Sequence, residues 1–294
     1  MKKCVALALG VMLAASFGLS QKIAVKFGGS LTYAAGGDIG SGLRGMTDYL
    51  AAEFPGASGA FAAPATGLGL AGEIIYFIRP NLGLGLGFGY FGMSKEGTVT
   101  YAADILSAAE VLRPKARVIP IVFSVHYLIP LAGSFSLDLS AGAGGYLANV
   151  DWDYRADFTL TLSGDAQQVF RGSDVLAFAS GRRLGLGVHA GLGLEYVFSP
   201  GMSVCLDLTG RLASVGGFQG SWTETGSGDF WEFSDSGTDA YLWAYDWNVN
   251  DATYRQIVLQ KETPTGATVS DARHAKLGLS GFTATIGIRI GLWR

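Results

Sequence analysis

The sequence predicts an all-β fold, an eight-stranded antiparallel transmembrane β-barrel. Three observations predict it: eight segments in which apolar side chains alternate with small or polar ones, connections that are alternately short and long, and a composition too apolar for a water-facing surface. Because successive side chains of a strand point to opposite faces, each such segment has one apolar face and one polar face.

The C-terminal segment, residues 282–294, shows this alternation. One face carries Phe282, Ala284, Ile286, Ile288, Ile290 and Leu292, and the other carries Thr283, Thr285, Gly287, Arg289 and Gly291. A strand of a soluble sandwich seldom makes six consecutive positions of one face apolar, whereas a lipid-facing strand does. The segment resembles the closing strand of a bacterial outer-membrane β-barrel, whose family commonly ends on an aromatic residue. Here Trp293 is penultimate, so this terminal pattern is imperfect.

The composition supports a membrane environment. The chain has 44 glycines in 294 residues, 15% charged residues and a mean hydropathy of +0.31. Helical spans would need about 18 consecutive apolar residues, and no stretch after the first twenty provides one. Only helices and closed barrels satisfy all their backbone hydrogen bonds in lipid, so a barrel is predicted.

The N-terminus predicts a secretory signal peptide over residues 1–20, followed by a barrel domain over residues 21–294. Lys2 and Lys3 precede an apolar run, and small residues at Gly18 and Ser20 favour cleavage before Gln21. Cleavage lowers Lys+Arg from 21 to 19 against 24 Asp+Glu, giving a net charge near −5. This acidic balance, without a basic stripe, predicts no nucleic-acid partner.

The predicted barrel strands are residues 23–33, 68–78, 82–91, 118–129, 135–147, 184–198, 204–212 and 282–292. Short turns are expected at residues 79–81, 130–134 and 199–201, and long connections at 34–65, 95–115, 149–183 and 214–275. Within the long connections the pattern predicts helices at 44–54 and 103–112, and strands at 157–162 and 253–260. A bulge or a frayed rim is expected at Pro120, which cannot donate to a ladder.

The run RPNLGLGLGFGY, residues 79–90, resembles the second hairpin of small outer-membrane barrels of the OmpW and OmpA-like type. The resemblance extends over the mature chain, without the periplasmic domain of full-length OmpA-type proteins. It implies Sec-dependent export, location in the bacterial outer membrane, four long extracellular loops and short periplasmic turns. It also implies contact with membrane lipid and lipopolysaccharide, and with the barrel assembly machinery through the C-terminal strand.

Aromatic residues are expected to form two interfacial belts. Those at the short-turn ends are Tyr76, Tyr127, Phe135, Tyr196, Phe198 and Trp293, and those towards the long loops are Tyr33, Tyr90, Phe91 and Tyr146. Any one of them is also explained by the ordinary preference of aromatic residues for strands, so the clustering carries the prediction.

The inward face is predicted to hold a lumen charge network of Lys26, Glu73, Asp138, Glu195, Asp207, Arg211 and Arg289. The interior of an eight-stranded barrel is just wide enough for side chains to fill it, so these charges are expected to pair. The favoured interpretation is a plug of ion pairs, and the alternative is a gate or a narrow polar conduit.

The predicted role is structural, surface-interacting or small-solute-passing, with no catalytic site, cofactor or metal. Ser124, His126, His189 and Glu195 supply the ingredients of a hydrolase. An outer-membrane enzyme acting on lipid, like the lipid A deacylases or acyltransferases, is therefore one alternative. A soluble eight-stranded ligand carrier is the other, although such a barrel would place its apolar face inside.

The third and fourth long connections, residues 149–183 and 214–275 and here called loops three and four, are rich in Trp, Tyr, Phe and Asp. This composition suits an extracellular ligand at these loops, and equally a self-packed cap over the barrel mouth.

Overall fold

The computed structural model describes residues 23–103, 105–162 and 168–291. The predicted signal peptide and the terminal Leu292, Trp293 and Arg294 lie outside these residues. In the described part the chain is all-β and antiparallel, as predicted, with one helix. The elements are β1 (Ile23–Gly36), α1 (Gly37–Glu53), β2 (Ser58–Ala60), β3 (Thr66–Arg79), β4 (Leu82–Ser94), β5 (Gly97–Ala102), β6 (Leu106–Pro130), β7 (Phe135–Leu162), β8 (Gln168–Ser180), β9 (Arg183–Ser199), β10 (Met202–Gly216), β11 (Gln219–Gly228), β12 (Trp231–Val249), β13 (Ala252–Gln260), β14 (Val269–His274) and β15 (Lys276–Gly291).

Eight of these strands pair in a closed ring. In order round the ring they are β1, β3, β4, β6, β7, β9, β10 and β15, and β15 returns to β1. Among the described residues the sheet has fifteen strands, so it is larger than the predicted eight. The difference arises because the long connections themselves fold into strands that extend the sheet beyond the ring.

Along each ring strand, exposed apolar side chains alternate with buried side chains that are polar or small. On β1, Phe27 and Leu31 are exposed, whereas Ala24, Ser30 and Thr32 are buried. The remaining ring strands follow the same phase, because successive Cβ atoms of a strand point to opposite faces. The ring therefore has an apolar outside and a polar inside.

The turns at one end of the ring, here called the turn end, are short. Residues 80–81, 131–134 and 200–201 join the strands there. Gly133 and Gly201 have φ values of 68° and 78°, a left-handed conformation that glycine adopts without a steric penalty. The opposite end, here called the loop end, carries every long connection and the helix.

At the loop end the connections fold into an ordered cap. The prediction of a helix at 44–54 is confirmed, although α1 begins earlier, at Gly37. The strands predicted at 157–162 and 253–260 are confirmed as parts of β7 and β13. The helix predicted at 103–112 is wrong: residues 106–112 lie in β6, paired with β5 and β7. Pairing on both edges overrides the helix propensity of the Ala and Leu residues there.

Of the two outcomes predicted at Pro120, the bulge does not form, and pairing is instead interrupted on one edge of the strand. Pro120 pairs with Tyr146 in an uninterrupted β6–β7 register. On the other edge, pairing with β4 stops after Phe88↔Ile121 and resumes at Phe91↔Val118 without a change of register. The missing proline N–H therefore leaves a short gap in one ladder and does not displace the strand.

Two apolar clusters lie at the two ends of the ring, and the larger one extends into the cap. The larger one fills the loop end, where Ile39 and Leu43 of α1 pack with Phe91, Tyr146 and Leu279. The smaller one lies at the turn end and consists of Ala24, Ile75, Phe77 and Leu128. Between the two clusters the interior is polar.

Candidate functional site in the barrel interior

All seven side chains of the predicted charge network point into the ring. Asp138, Glu195, Arg211 and Arg289 are at most 8% exposed, and Lys26, Glu73 and Asp207 are only slightly more accessible. Such charges must be paired or hydrogen-bonded, because an unpaired buried charge costs several kcal/mol.

Lys26 and Asp207 form one ion pair, with 2.6 Å between Nζ and Oδ1. Lys26 lies on β1 and Asp207 on β10, with β15 between them. The lysine therefore reaches across a whole strand, which the small side chains of the interior permit. Asp207 Oδ2 is buried and has no hydrogen-bond partner among the described residues.

Arg289 and Glu195 form a second pair, with 2.5 Å between the guanidinium nitrogen and Oε1. Arg289 lies on β15 and Glu195 on β9, so this pair spans β10. The Arg289 guanidinium also lies over the Phe77 ring, 5.7 Å from its centroid. This pair therefore joins the polar layer to the apolar cluster at the turn end.

His126 belongs to the same layer, although the sequence assigned it only to a hypothetical hydrolase. Its Nε2 lies 2.9 Å from Glu73 Oε1, and its Nδ1 lies 3.1 Å from both oxygens of Asp138. A neutral imidazole has one N–H, so hydrogen bonds from both nitrogens to carboxylates require the imidazolium. The sequence could have placed His126 in the network, because it alternates with the outward-facing Val125 and Tyr127 of β6 and therefore faces inward.

With His126 included, the interior charges balance. The cationic side chains are Lys26, His126, Arg211 and Arg289, and the anionic ones are Glu73, Asp138, Glu195 and Asp207. The predicted set of three positive and four negative residues was one cation short.

Arg211 lies apart from the predicted network and makes no ion pair among the described residues. It donates to the Leu279 carbonyl at 2.6 Å, to Thr283 Oγ1 at 2.5 Å and to the Tyr33 carbonyl at 3.3 Å. The β1–β15 register shifts just beyond Ala34, and this irregularity leaves carbonyl oxygens available to the guanidinium. Arg211 thus links β10 to β15 and β1 by hydrogen bonds, next to the apolar cluster of the loop end.

Two inward glycines make room for these groups. A Cβ at Gly85 would lie 2.2 Å from Glu73 Oε1 and 2.9 Å from His126 Nε2, and one at Gly193 would lie 2.3 Å from Asp207 Oδ1. No larger residue fits at either position without moving a charged group.

Ser124 and His189 form a further contact, 3.1 Å between Oγ and Nε2. A serine nucleophile needs a carboxylate on the other histidine nitrogen, but His189 Nδ1 is buried without a partner among the described residues. Glu195, the carboxylate the sequence suggested, instead binds Arg289. The Ser124–His189 pair therefore lacks the carboxylate of a catalytic triad among the described residues.

The polar layer surrounds a cavity of about 170 Å³, lined by side chains that include Lys26, Glu73, Ser124, His189, Asp207 and Arg211. The apolar cluster of the loop end lies above this cavity and the cluster at the turn end lies below it.

The described residues meet neither the requirements for a metal site nor those for a membrane-spanning helix. Within them, no group of three or more His, Cys, Asp or Glu side chains is arranged to hold a metal ion. Over the same ranges, α1 is the one helix, and no helix has the length and apolar character to cross a membrane.

Comparisons with known proteins give only weak structural likenesses. No family model matches the chain, and no curated protein matches it in sequence. Several of the similar solved structures are described as outer-membrane proteins. A major outer membrane protein from Thermus thermophilus is 12% identical, with a TM-score of 0.30, covering 91% of this chain and 98% of that one.

Two other solved structures have similarly low identities and TM-scores. Acinetobacter baumannii CarO is 12% identical with a TM-score of 0.27, over 80% of this chain and 94% of that one. The outer membrane protease OmpT from Escherichia coli is 11% identical with a TM-score of 0.26, over 92% and 93%. TM-scores this low do not establish a common fold, so conclusions about this chain rest on its own strands and side chains.

Proposed function

We propose that the chain is an integral protein of the bacterial outer membrane: an eight-stranded transmembrane β-barrel of the OmpW/OmpA-like type, with a closed interior and an extracellular cap. Its role is structural and surface-interacting. The observation that carries the proposal is the closed ring of eight paired strands whose outer face is apolar and exposed.

The outer face supports a lipid environment. Leu68, Leu70, Leu186, Leu212 and Ile286 are each at least 65% exposed, on four different ring strands. Contiguous apolar surface of this extent is rare on water-soluble monomers, whereas a barrel in lipid requires it. A soluble ligand-carrying barrel would show the opposite pattern, with apolar side chains inside.

Exposed aromatic side chains at both ends of the ring support the same assignment. Tyr127 and Phe198 lie near the turn end, and Tyr33 and Tyr90 lie towards the loop end. The rings of Phe135 and Tyr196 pack against each other on the turn-end side, with 4.9 Å between their centroids. Aromatic residues favour the boundary between lipid tails and headgroups, so the two groups mark the two membrane interfaces.

The interior supports a closed barrel. The charges are balanced and largely paired, and an apolar layer lies on each side of them. A solute would have to displace side chains from both layers, so small-solute passage is disfavoured. An enzyme at Ser124 is disfavoured because this side chain is 3% exposed and His189, its partner, has no carboxylate on its other ring nitrogen among the described residues.

The turn end is proposed to face the periplasm and the loop end the exterior, where the cap meets lipopolysaccharide. Insertion is proposed to depend on the assembly machinery recognising the C-terminal strand, after Sec-dependent export.

Cell fractionation tests the proposal. The protein should remain with outer membranes after carbonate extraction and should migrate differently on gels before and after boiling, because a closed barrel resists detergent until heated. Recovery as a soluble periplasmic protein, with no change of migration on boiling, would exclude it.

A further inference from the structure

The cap contains a concave face whose side chains are in cross-strand register. One row consists of Leu112, Tyr154, Leu176, Glu224 and Asp235, on β6, β7, β8, β11 and β12 respectively. The adjacent row, nearer the ring, contains Trp152, Phe178, Trp222 and Gly237. Because register fixes which side chains share a face, the aromatic residues and the two carboxylates line one surface.

This surface bounds a cavity of about 610 Å³, here called the cap pocket. Its floor is apolar and buried, with Leu112, Trp152, Leu242 and Ile257 each at most 8% exposed. Asp239 and Lys261, which are paired with each other and largely exposed, lie at its edge. The pocket is large enough for a small organic molecule and reaches the protein surface.

Of the three carboxylates that line the cap pocket, Asp239 is paired with Lys261, whereas Glu224 and Asp235 have no cation partner among the described residues. Glu224 and Asp235 lie directly opposite each other on β11 and β12, where like charges repel. Neither forms an ion pair among the described residues, and Asp174 Oδ1, close by, is buried without a hydrogen-bond partner. Burial and the neighbouring carboxylates of Asp174 and Asp235 raise the pKa of Glu224 above its ordinary value.

Several acidic side chains elsewhere in the cap are paired with cations. Arg255 binds Asp246 and Asp271, and Arg273 binds Asp38. Glu224 and Asp235 have no such partner among the described residues. Their position beside three aromatic rings is the environment that organic cations prefer, since ring faces and carboxylates both attract positive charge.

We infer that the cap pocket binds a small organic cation with an aromatic or aliphatic body, the body against Trp152, Tyr154 and Trp222 and the charge between Glu224 and Asp235. The chemistry of the pocket does not depend on the membrane, but its access to external ligands rests on the proposed orientation of the barrel.

Three indoles of matched shape and different charge test this assignment. Tryptamine is a cation, tryptophol is neutral and indole-3-propionate is an anion at neutral pH. Calorimetric titration of the purified full chain in detergent should give a Kd for tryptamine about tenfold or more below that for tryptophol, with no binding of the anion. Raising the salt concentration should weaken tryptamine binding alone.

Variants localise the binding. Glu224→Gln combined with Asp235→Asn should raise the Kd for tryptamine about tenfold and leave that for tryptophol unchanged. Glu232→Gln is the matched control, because it removes one negative charge from the exposed part of β12, outside the pocket. Heat-dependent gel migration confirms that each variant is folded.

Equal binding of tryptamine and tryptophol would show an apolar pocket without cation selectivity and overturn the inference. So would a double variant that binds tryptamine as tightly as the parent. Membrane fractionation is a separate readout: a protein that binds tryptamine but is soluble in cells contradicts the proposed function only, and one that is membrane-integrated but does not bind contradicts the inference only.

Discussion

Arg289 and Glu195 are joined by an ion pair inside the ring, 2.5 Å between guanidinium nitrogen and carboxylate oxygen, although β10 separates their strands. Glu195 is 3% exposed, and its second oxygen has no partner among the described residues. The arginine is therefore the group that neutralises this carboxylate.

Arg289→Ala should lower the free energy of unfolding by about 3 kcal/mol, the usual consequence of leaving one buried charge without its partner. Arg289→Leu should not rescue stability, because Glu195 stays charged and unpaired. The double variant Arg289→Met with Glu195→Gln should recover most of the loss. Heat-modifiability midpoints in detergent measure these effects, with Arg79→Ala, an exposed residue at a short turn, as the control. Midpoints within a degree or two of the parent for both single Arg289 variants would refute the role of this pair.

Gly85→Ala should destabilise the barrel by about 1–3 kcal/mol, because the added methyl group overlaps the atoms that join Glu73 to His126. Gly29→Ala is the matched control, since a Cβ at Gly29 meets nothing within 4 Å. Gly29 should tolerate the substitution with little change. Similar midpoints for the two variants would mean that the Glu73–His126 contact does not require the glycine.

The alternation of the strands predicts which charged side chains face inward but does not predict their partners. The inward phase places Lys26, Glu73, Asp138, Glu195, Asp207 and Arg289 in one buried layer, because period two is fixed by strand geometry. The partners were not predictable, since Lys26 and Arg289 each reach across a strand to a carboxylate. Arg211 was misassigned because its partners include backbone oxygens freed by a register irregularity, which side-chain patterns do not encode.

The cap was the least predictable part of the fold. Residues 106–112 contain good helix formers but pair on both sides as a strand. Their partners in β5 and β7 come from separate segments, so local propensity could not indicate the pairing. The cross-strand rows of the cap pocket depend on the same long-range registers.

Planar bilayers should show no conductance steps for the parent protein. Arg289→Ala should also be silent, because the apolar cluster that contains Phe91, Tyr146 and Leu279 still closes the loop end. A wide-pore porin reconstituted in the same way controls for the sensitivity of the recording. Steps in the Arg289→Ala variant alone would instead indicate that the charges are the closure, and steps in the parent would indicate an open conduit.

Protease treatment of intact cells should cut the cap before the turns. Chymotrypsin is expected to cleave after Phe230, which is 80% exposed between β11 and β12, and trypsin after the exposed Lys261. Both positions lie at turns, where backbone is free to enter a protease active site. Arg79, whose bond to Pro80 resists trypsin, offers no matched site, so an engineered protease site in residues 131–134 is the control and should be cut only after permeabilisation. Cleavage there in intact cells, with Phe230 and Lys261 protected, would invert the topology.

Accessibility along β15 tests the central claim, that the apolar face of the ring meets lipid. Single cysteines at Phe282, Ala284, Ile286 and Ile288, and at the inward Thr283 and Thr285, would carry spin labels in a Cys205→Ser background reconstituted into bilayers. Outward labels should collide readily with oxygen and poorly with a water-soluble nickel complex, whereas inward labels should be protected from both. Outward labels as accessible to nickel as a label at exposed Glu232 would place this face in water and contradict the account.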